Sequence, residues 1–125
     1  MRFLEEQQAW LLPPPAGASC EVLVAGNSDA PKQLCMETLA HALDALQVLQ
    51  QQAWTYLNEF VSPSALGMPE QWNLEALECG CGPARRADQI ALVYSHADDI
   101  NGEWSVTLQL SNRHFFPVAF ARRQI

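Results

Sequence analysis

The sequence predicts an α+β domain in two layers, with one long helix packed on a mostly antiparallel sheet of about four to six strands. An apolar stripe recurs every three or four residues in the middle of the 125-residue chain, and this spacing is typical of a helix. Residues 71–125 alternate instead between apolar and polar side chains, which is typical of strands buried on one face. The length and a hydrophobic fraction of 49% fit a single domain over residues 1–125.

Residues 1–27 are predicted to form N-terminal strands joined by a proline-rich connector. The apolar run at 10–12 stops at the consecutive prolines 13–15, which lack backbone donors and favour an extended chain. A second apolar run at 20–25 has the composition of a short strand, and it ends at the turn signal Gly26-Asn27.

Residues 28–61 are predicted to form the long helix. Ser28 or Asp29 can cap its start, and Pro31 fits in its first turn, where an amide hydrogen has no helical partner. The apolar stripe consists of Cys35, Leu39, Ala42, Leu46, Leu49, Ala53, Tyr56 and Phe60. The helix should end near its last member, because Pro63 disfavours helical geometry at the residue before it. A helix of this length must lie across something broad, such as a sheet.

A loop at 61–70 leads to the antiparallel meander predicted for residues 71–125. Its alternating apolar residues are Trp72, Leu74 and Ala76, then Ile90, Leu92 and Tyr94, then Trp104, Val106, Leu108 and Leu110, and finally Phe116, Val118 and Phe120. A loop at 96–103 and a turn at 111–113 join strands as hairpins. Pro117 places the last strand at an edge or a bulge, because proline cannot donate to a strand ladder.

The formal net charge of −7 argues against a nonspecific nucleic-acid binder, which needs a basic surface. Residues 1–103 hold four basic and fourteen acidic residues, a net of −10, whereas residues 104–125 hold three arginines and no acid. No apolar run is long enough for a membrane span, and no secretory signal is present, so we expect a cytoplasmic protein with reduced thiols and no membrane association.

Catalytic and metal-binding motifs are not found in the sequence. Cys79-Gly-Cys81, with His96 or His114, is the best zinc candidate, but structural zinc sites space their cysteines by two to four residues. A cysteine nucleophile with a histidine base has no activating local sequence either. The sequence therefore predicts no metal and no cofactor, and it favours a binding protein over an enzyme.

Six residues are predicted to bind a partner. Asp98, Asp99 and Glu103 form an acidic group in the long hairpin loop, which begins at His96. Arg122 and Arg123 belong to the basic C-terminal strip. Charge segregation of this kind can steer a basic partner or support self-association, so a homodimer stays open. The sheet face with Ser105, Thr107, Gln109 and Ala119 is partly polar and is predicted to be solvated or to contact a partner.

The stretches 102–108 (GEWSVTL) and 117–124 (PVAFARRQ) resemble the end of small, uncharacterised bacterial α+β proteins. Some of these proteins resemble immunity proteins of contact-dependent or type VI toxin systems. The resemblance implies a non-catalytic protein-binding module that neutralises a secreted, basic toxin. The alternative is a small enzyme or ligand-binding domain with a pocket between helix and sheet. A deep pocket at which Cys79, His96 or Asp98 converge would favour that alternative.

Overall fold

A computed structural model describes residues 1–15, 19–61 and 71–125 of the chain. Within these residues the elements follow the order β1 (Arg2–Leu4), β2 (Ala9–Leu12), β3 (Glu21–Ala25), α1 (Gln33–Asp44), α2 (Leu46–Phe60), β4 (Trp72–Cys79), β5 (Gln89–His96), β6 (Asp99–Ser111) and β7 (His114–Gln124). A short 3-10 helix, Glu5–Gln7, joins β1 to β2. All seven of these strands form one sheet, and their order in space is their order in the chain.

The predicted architecture of one long helix on four to six strands is wrong. The described part of the chain is mostly sheet, with seven strands and two short helices. The helical segment breaks at Ala45, where φ is −124° and ψ is 22°, and where the backbone N–H donates to the oxygen of Ala42 at 3.1 Å, three residues back. The apolar spacing continues through this break, so the sequence pattern could not reveal it.

The first helix also begins later than predicted, at Gln33. The N–H groups of Asp29 and Ala30 donate to Asn27 Oδ1 at 2.9 and 3.2 Å, which is an Asx-type turn and not a helix start. The second helix ends at Phe60, as predicted. The predicted loop at 61–70 lies outside the described residues, apart from Val61.

One strand pair, β3 with β4, is parallel, and every other neighbouring pair is antiparallel. Parallel neighbours need a long crossover, and here α1 and α2 lie in that crossover. The crossover joins the N-terminal strands to the C-terminal meander. The N-terminal strands therefore add to the strands of the meander within one sheet.

Both helices cover the same face of the sheet. The largest fully buried side chains lie between the two layers: Leu49, Leu57, Leu77, Ile90, Leu92 and Leu108. The predicted stripe is correct from Cys35 to Tyr56, where its members are buried or pack against the core. Near the end of α2 the buried residue is Leu57, and Phe60 is 56% exposed beside β7.

The centre of the opposite face is buried as well, although the sequence predicts this face to be solvated or to contact a partner; at β7 the face is open, and Ala119 is exposed. The connection between β4 and β5 packs on this face through Ala84, which is fully buried with Ala76, Ala91 and Val93. Ser105 and Thr107 are only 5% and 4% exposed. The prediction is wrong for Ser105 and Thr107, because alternation shows that a residue faces away from the helices but not what covers it.

Strand β7 ends the sheet, and it contains a bulge. The pairing shifts between Leu108, opposite Pro117, and Thr107, opposite Ala119, so Val118 is an extra residue. The edge position and the bulge that Pro117 predicts are therefore both present in β7. In the described residues, neither helix is long and apolar enough to cross a membrane.

Candidate functional site

The structure brings most of the predicted binding residues together where β5, β6 and β7 meet. Asp99 accepts two hydrogen bonds from Arg122, from Nε to Oδ2 and from Nη2 to Oδ1, both at 2.8 Å. The indole N–H of Trp104 donates to the same carboxylate at 2.8 Å. The bonds from Arg122, and then that from Trp104, lower the pKa of Asp99 to about 2. Its charge is therefore satisfied within the chain.

Of the two other acids in this group, Glu103 is also paired and Asp98 is not. Arg123 Nη2 donates to Glu103 Oε1 at 2.7 Å. The N–H of Asp98 donates to Nδ1 of the buried His96 at 3.0 Å, and the Asp98 carboxylate has no ion pair within the described chain. Since β5 ends at His96 and β6 begins at Asp99, the predicted long loop is a two-residue turn. We name Asp99, Glu103, Arg122 and Arg123 the charged cluster.

Cys79 and Cys81 do not form a common site. Cys79 is in the core, where its thiol donates to the backbone oxygen of Cys35 at 3.5 Å, and burial raises its pKa. Cys81 lines an open groove on the other face together with Glu78. Burial, followed by the nearby Glu78 carboxylate, raises the pKa of the Cys81 thiol to about 11, so this thiol is protonated at neutral pH. Residues 1–15, 19–61 and 71–125 contain no group of three potential metal ligands.

A pocket lies between α2 and the strands β4 and β5, and we name it the aromatic pocket. It has a volume of about 510 Å³. The described residues that line it are Gln50, Gln51, Trp54, Thr55, Leu57, Trp72 and Tyr94. None of Cys79, His96 or Asp98, which the sequence suggested for such a pocket, is among them. The alternating pattern of the sequence places Trp72 and Tyr94 on strands, but nothing in the sequence indicates that Trp54 lies opposite them.

The outer side of β7, which we name the open edge, is a second candidate. Eight large hydrophobic residues are exposed in the described chain, and Val48, Phe60, Phe116 and Val118 of these lie on α2 or β7. A groove of about 350 Å³ runs between α2 and β7, and it is lined by both apolar and polar residues: Val48, Gln51, Gln52, Thr55, Tyr56, Glu59 and Pro117. The ring of Phe60 packs 5.1 Å from that of Phe120, between centroids. An apolar strip therefore adjoins the unpaired strand.

The pairing pattern shows which backbone groups point outward along the open edge. The N–H of Ile125 donates to the oxygen of Asn101 at 2.8 Å, so these opposite residues form a hydrogen-bonded pair. Hydrogen-bonded and non-bonded pairs alternate in an antiparallel ladder. The N–H and C=O groups of Phe120, Arg122 and Gln124 consequently face away from β6.

Comparisons of the chain with protein-family models, curated proteins and solved structures found no match.

Proposed function

We propose that this chain is a non-catalytic protein-binding module that holds an extended segment of its partner at the open edge. The observation that carries the proposal is the juxtaposition of an unpaired strand with a groove that has Val48, Tyr56 and Pro117 in its walls. A partner strand can bond its backbone to such an edge while its side chains fill the neighbouring groove.

The second half of β7 is the better part of this edge. Pro117 has no N–H, and the bulge at Val118 interrupts the regular spacing. Beyond the bulge, Phe120, Arg122 and Gln124 offer three successive outward backbone positions. We therefore place the partner's backbone along 119–124, with an apolar side chain directed toward Phe60, and its continuation past Pro117 over the groove.

The charged cluster would stabilise the end of β7 more than it would attract a partner. Asp99 and Glu103 are paired with the two arginines, so they hold the end of β7 in place beside β6. The net charge of −7 still suits a basic partner. A secreted toxin is the partner class that the resemblance to immunity proteins implies.

The test uses a library of random short peptides selected on the immobilised chain, with affinities then measured by fluorescence anisotropy. We expect enriched peptides with alternating apolar residues. Val48→Glu, which places a charge in the groove, should weaken them about tenfold or more. Leu34→Glu is the matched control, because Leu34 is similarly exposed, at 58% against 53%, but lies on α1.

Two outcomes would contradict the proposal. Peptides without the alternating pattern, or peptides that bind Val48→Glu as well as the original chain, would remove the open edge from the function. A concentration-dependent dimer in sedimentation, abolished by Val48→Glu, would show that the edge pairs with a second copy of the chain.

A further inference from the structure

We propose that the aromatic pocket binds a neutral, planar aromatic small molecule that carries one hydrogen-bonding group. This site adjoins the groove of the open edge, with which it shares Gln51 and Thr55, but Trp54, Trp72 and Tyr94 line the pocket and not the groove. It would give the module a small-molecule ligand in addition to a protein partner. Its volume of about 510 Å³ lies within the usual range for ligand pockets.

The hydroxyl of Tyr94 is the main argument for a ligand. The residue is only 7% exposed, and its hydroxyl makes no hydrogen bond within the described chain. Buried tyrosine hydroxyls usually have a partner, because leaving one unpaired costs free energy. Among the described residues, Gln52 Oε1 is the only fully buried side-chain nitrogen or oxygen atom without a hydrogen-bond partner. The Tyr94 hydroxyl is therefore unpaired but accessible, and Tyr94 is one of the residues that line the pocket.

The shape of the walls indicates a flat ligand. The ring of Trp72 is nearly perpendicular to that of Tyr94, with an interplanar angle of 87° and 6.3 Å between the centroids. Its interplanar angle to Trp54 is 73°, and those centroids are 6.2 Å apart. Perpendicular rings form a corner in which an aromatic ligand can stack on one face and meet the other edge-on. Leu57 adds an aliphatic wall.

The lining also indicates a neutral ligand. No acidic or basic side chain is among the described lining residues, whose polar members are two glutamines, a threonine and Tyr94. A charged ligand would lose its hydration there without gaining a counter-charge. The polar group of a neutral ligand would instead bond to the Tyr94 hydroxyl, which can both donate and accept.

The test measures Kd by titration calorimetry with two probes, indole and 1-methylindole. The two share a planar body, but only indole has an N–H that can donate to the Tyr94 oxygen. We expect saturable binding of indole and, in Tyr94→Phe, a loss of about three- to tenfold. Tyr94→Phe should leave 1-methylindole unchanged, which separates the lost hydrogen bond from any change in packing.

A second variant tests the location. Thr55→Trp should block the pocket from an exposed position on α2, and Gln47→Trp is the matched control, since Gln47 is exposed on the same helix but outside the lining. Failure of indole to bind, or equal binding to Thr55→Trp and Gln47→Trp, would overturn the site. Equal loss of both probes in Tyr94→Phe would overturn the hydrogen bond. Tighter binding of tetramethylammonium than of indole would overturn the neutral ligand.

Discussion

The centre of the sheet is buried on both faces, but the two faces are built from side chains of different sizes. On β5, Ile90, Leu92 and Tyr94 point toward the helices, whereas Ala91 and Val93 point toward the connection that carries Ala84. Helices pack at a distance that long side chains must fill, whereas a loop backbone can approach a sheet closely only over small ones. The size of the residues within an alternating strand therefore indicates what covers each face.

The largest effect should come from the helix-covered face. Leu92→Ala removes a fully buried side chain from between the layers and leaves a cavity, so the free energy of unfolding should fall by about 2–5 kcal/mol. Urea denaturation followed by tryptophan fluorescence measures it. A loss below about 1 kcal/mol would mean that the helices collapse onto the gap, and the contrast between the faces would be weaker than we describe.

The opposite change tests the loop-covered face. Ala91→Leu adds volume where Ala84 and Ala76 leave no space, and it should lower the unfolding free energy by about 1–3 kcal/mol. Ala119→Leu is the matched control, because Ala119 lies on the same face but is exposed on β7. If both variants unfold at the same urea concentration as the original chain, the loop is not closely packed.

A smaller effect should come from Glu78, which lies in the groove on the loop-covered face. Burial, and then the neighbouring Glu103, raise the pKa of its carboxyl, while Arg123 opposes them. A raised folded-state pKa means that ionised Glu78 destabilises the fold at neutral pH, and that acidification through this pKa relieves the penalty. Glu78→Gln should therefore raise the unfolding free energy at pH 7.

The pH dependence of this gain distinguishes burial from other causes. The gain should shrink as the pH falls and vanish below about pH 4, where glutamate is protonated in the unfolded chain as well. Parallel urea titrations of the original chain and Glu78→Gln at several pH values measure it. A pH-independent difference would show that Glu78 is not desolvated, and that this part of the face is wet.

The sequence predicts local features well because their causes are local. Alternation locates β5 and β6, Pro117 indicates the edge and the bulge, and the helical stripe is correct up to Tyr56. The break at Ala45 and the parallel pairing of β3 with β4 depend on contacts between distant segments, which periodicity does not contain. The charged cluster shows the same limit, because the pairing of β6 with β7 turns two predicted binding carboxylates into internal partners of arginines.

The chain order of the strands also has a kinetic consequence. The turn between β6 and β7 closes over two residues, whereas residues 26–71 of the chain separate β3 from β4. Loop-closure entropy grows with the number of residues enclosed, and non-local pairings slow folding. The hairpins of β4 to β7 can therefore assemble first. We expect the docking of β1 to β3 onto β4, with both helices in place, to set the refolding rate.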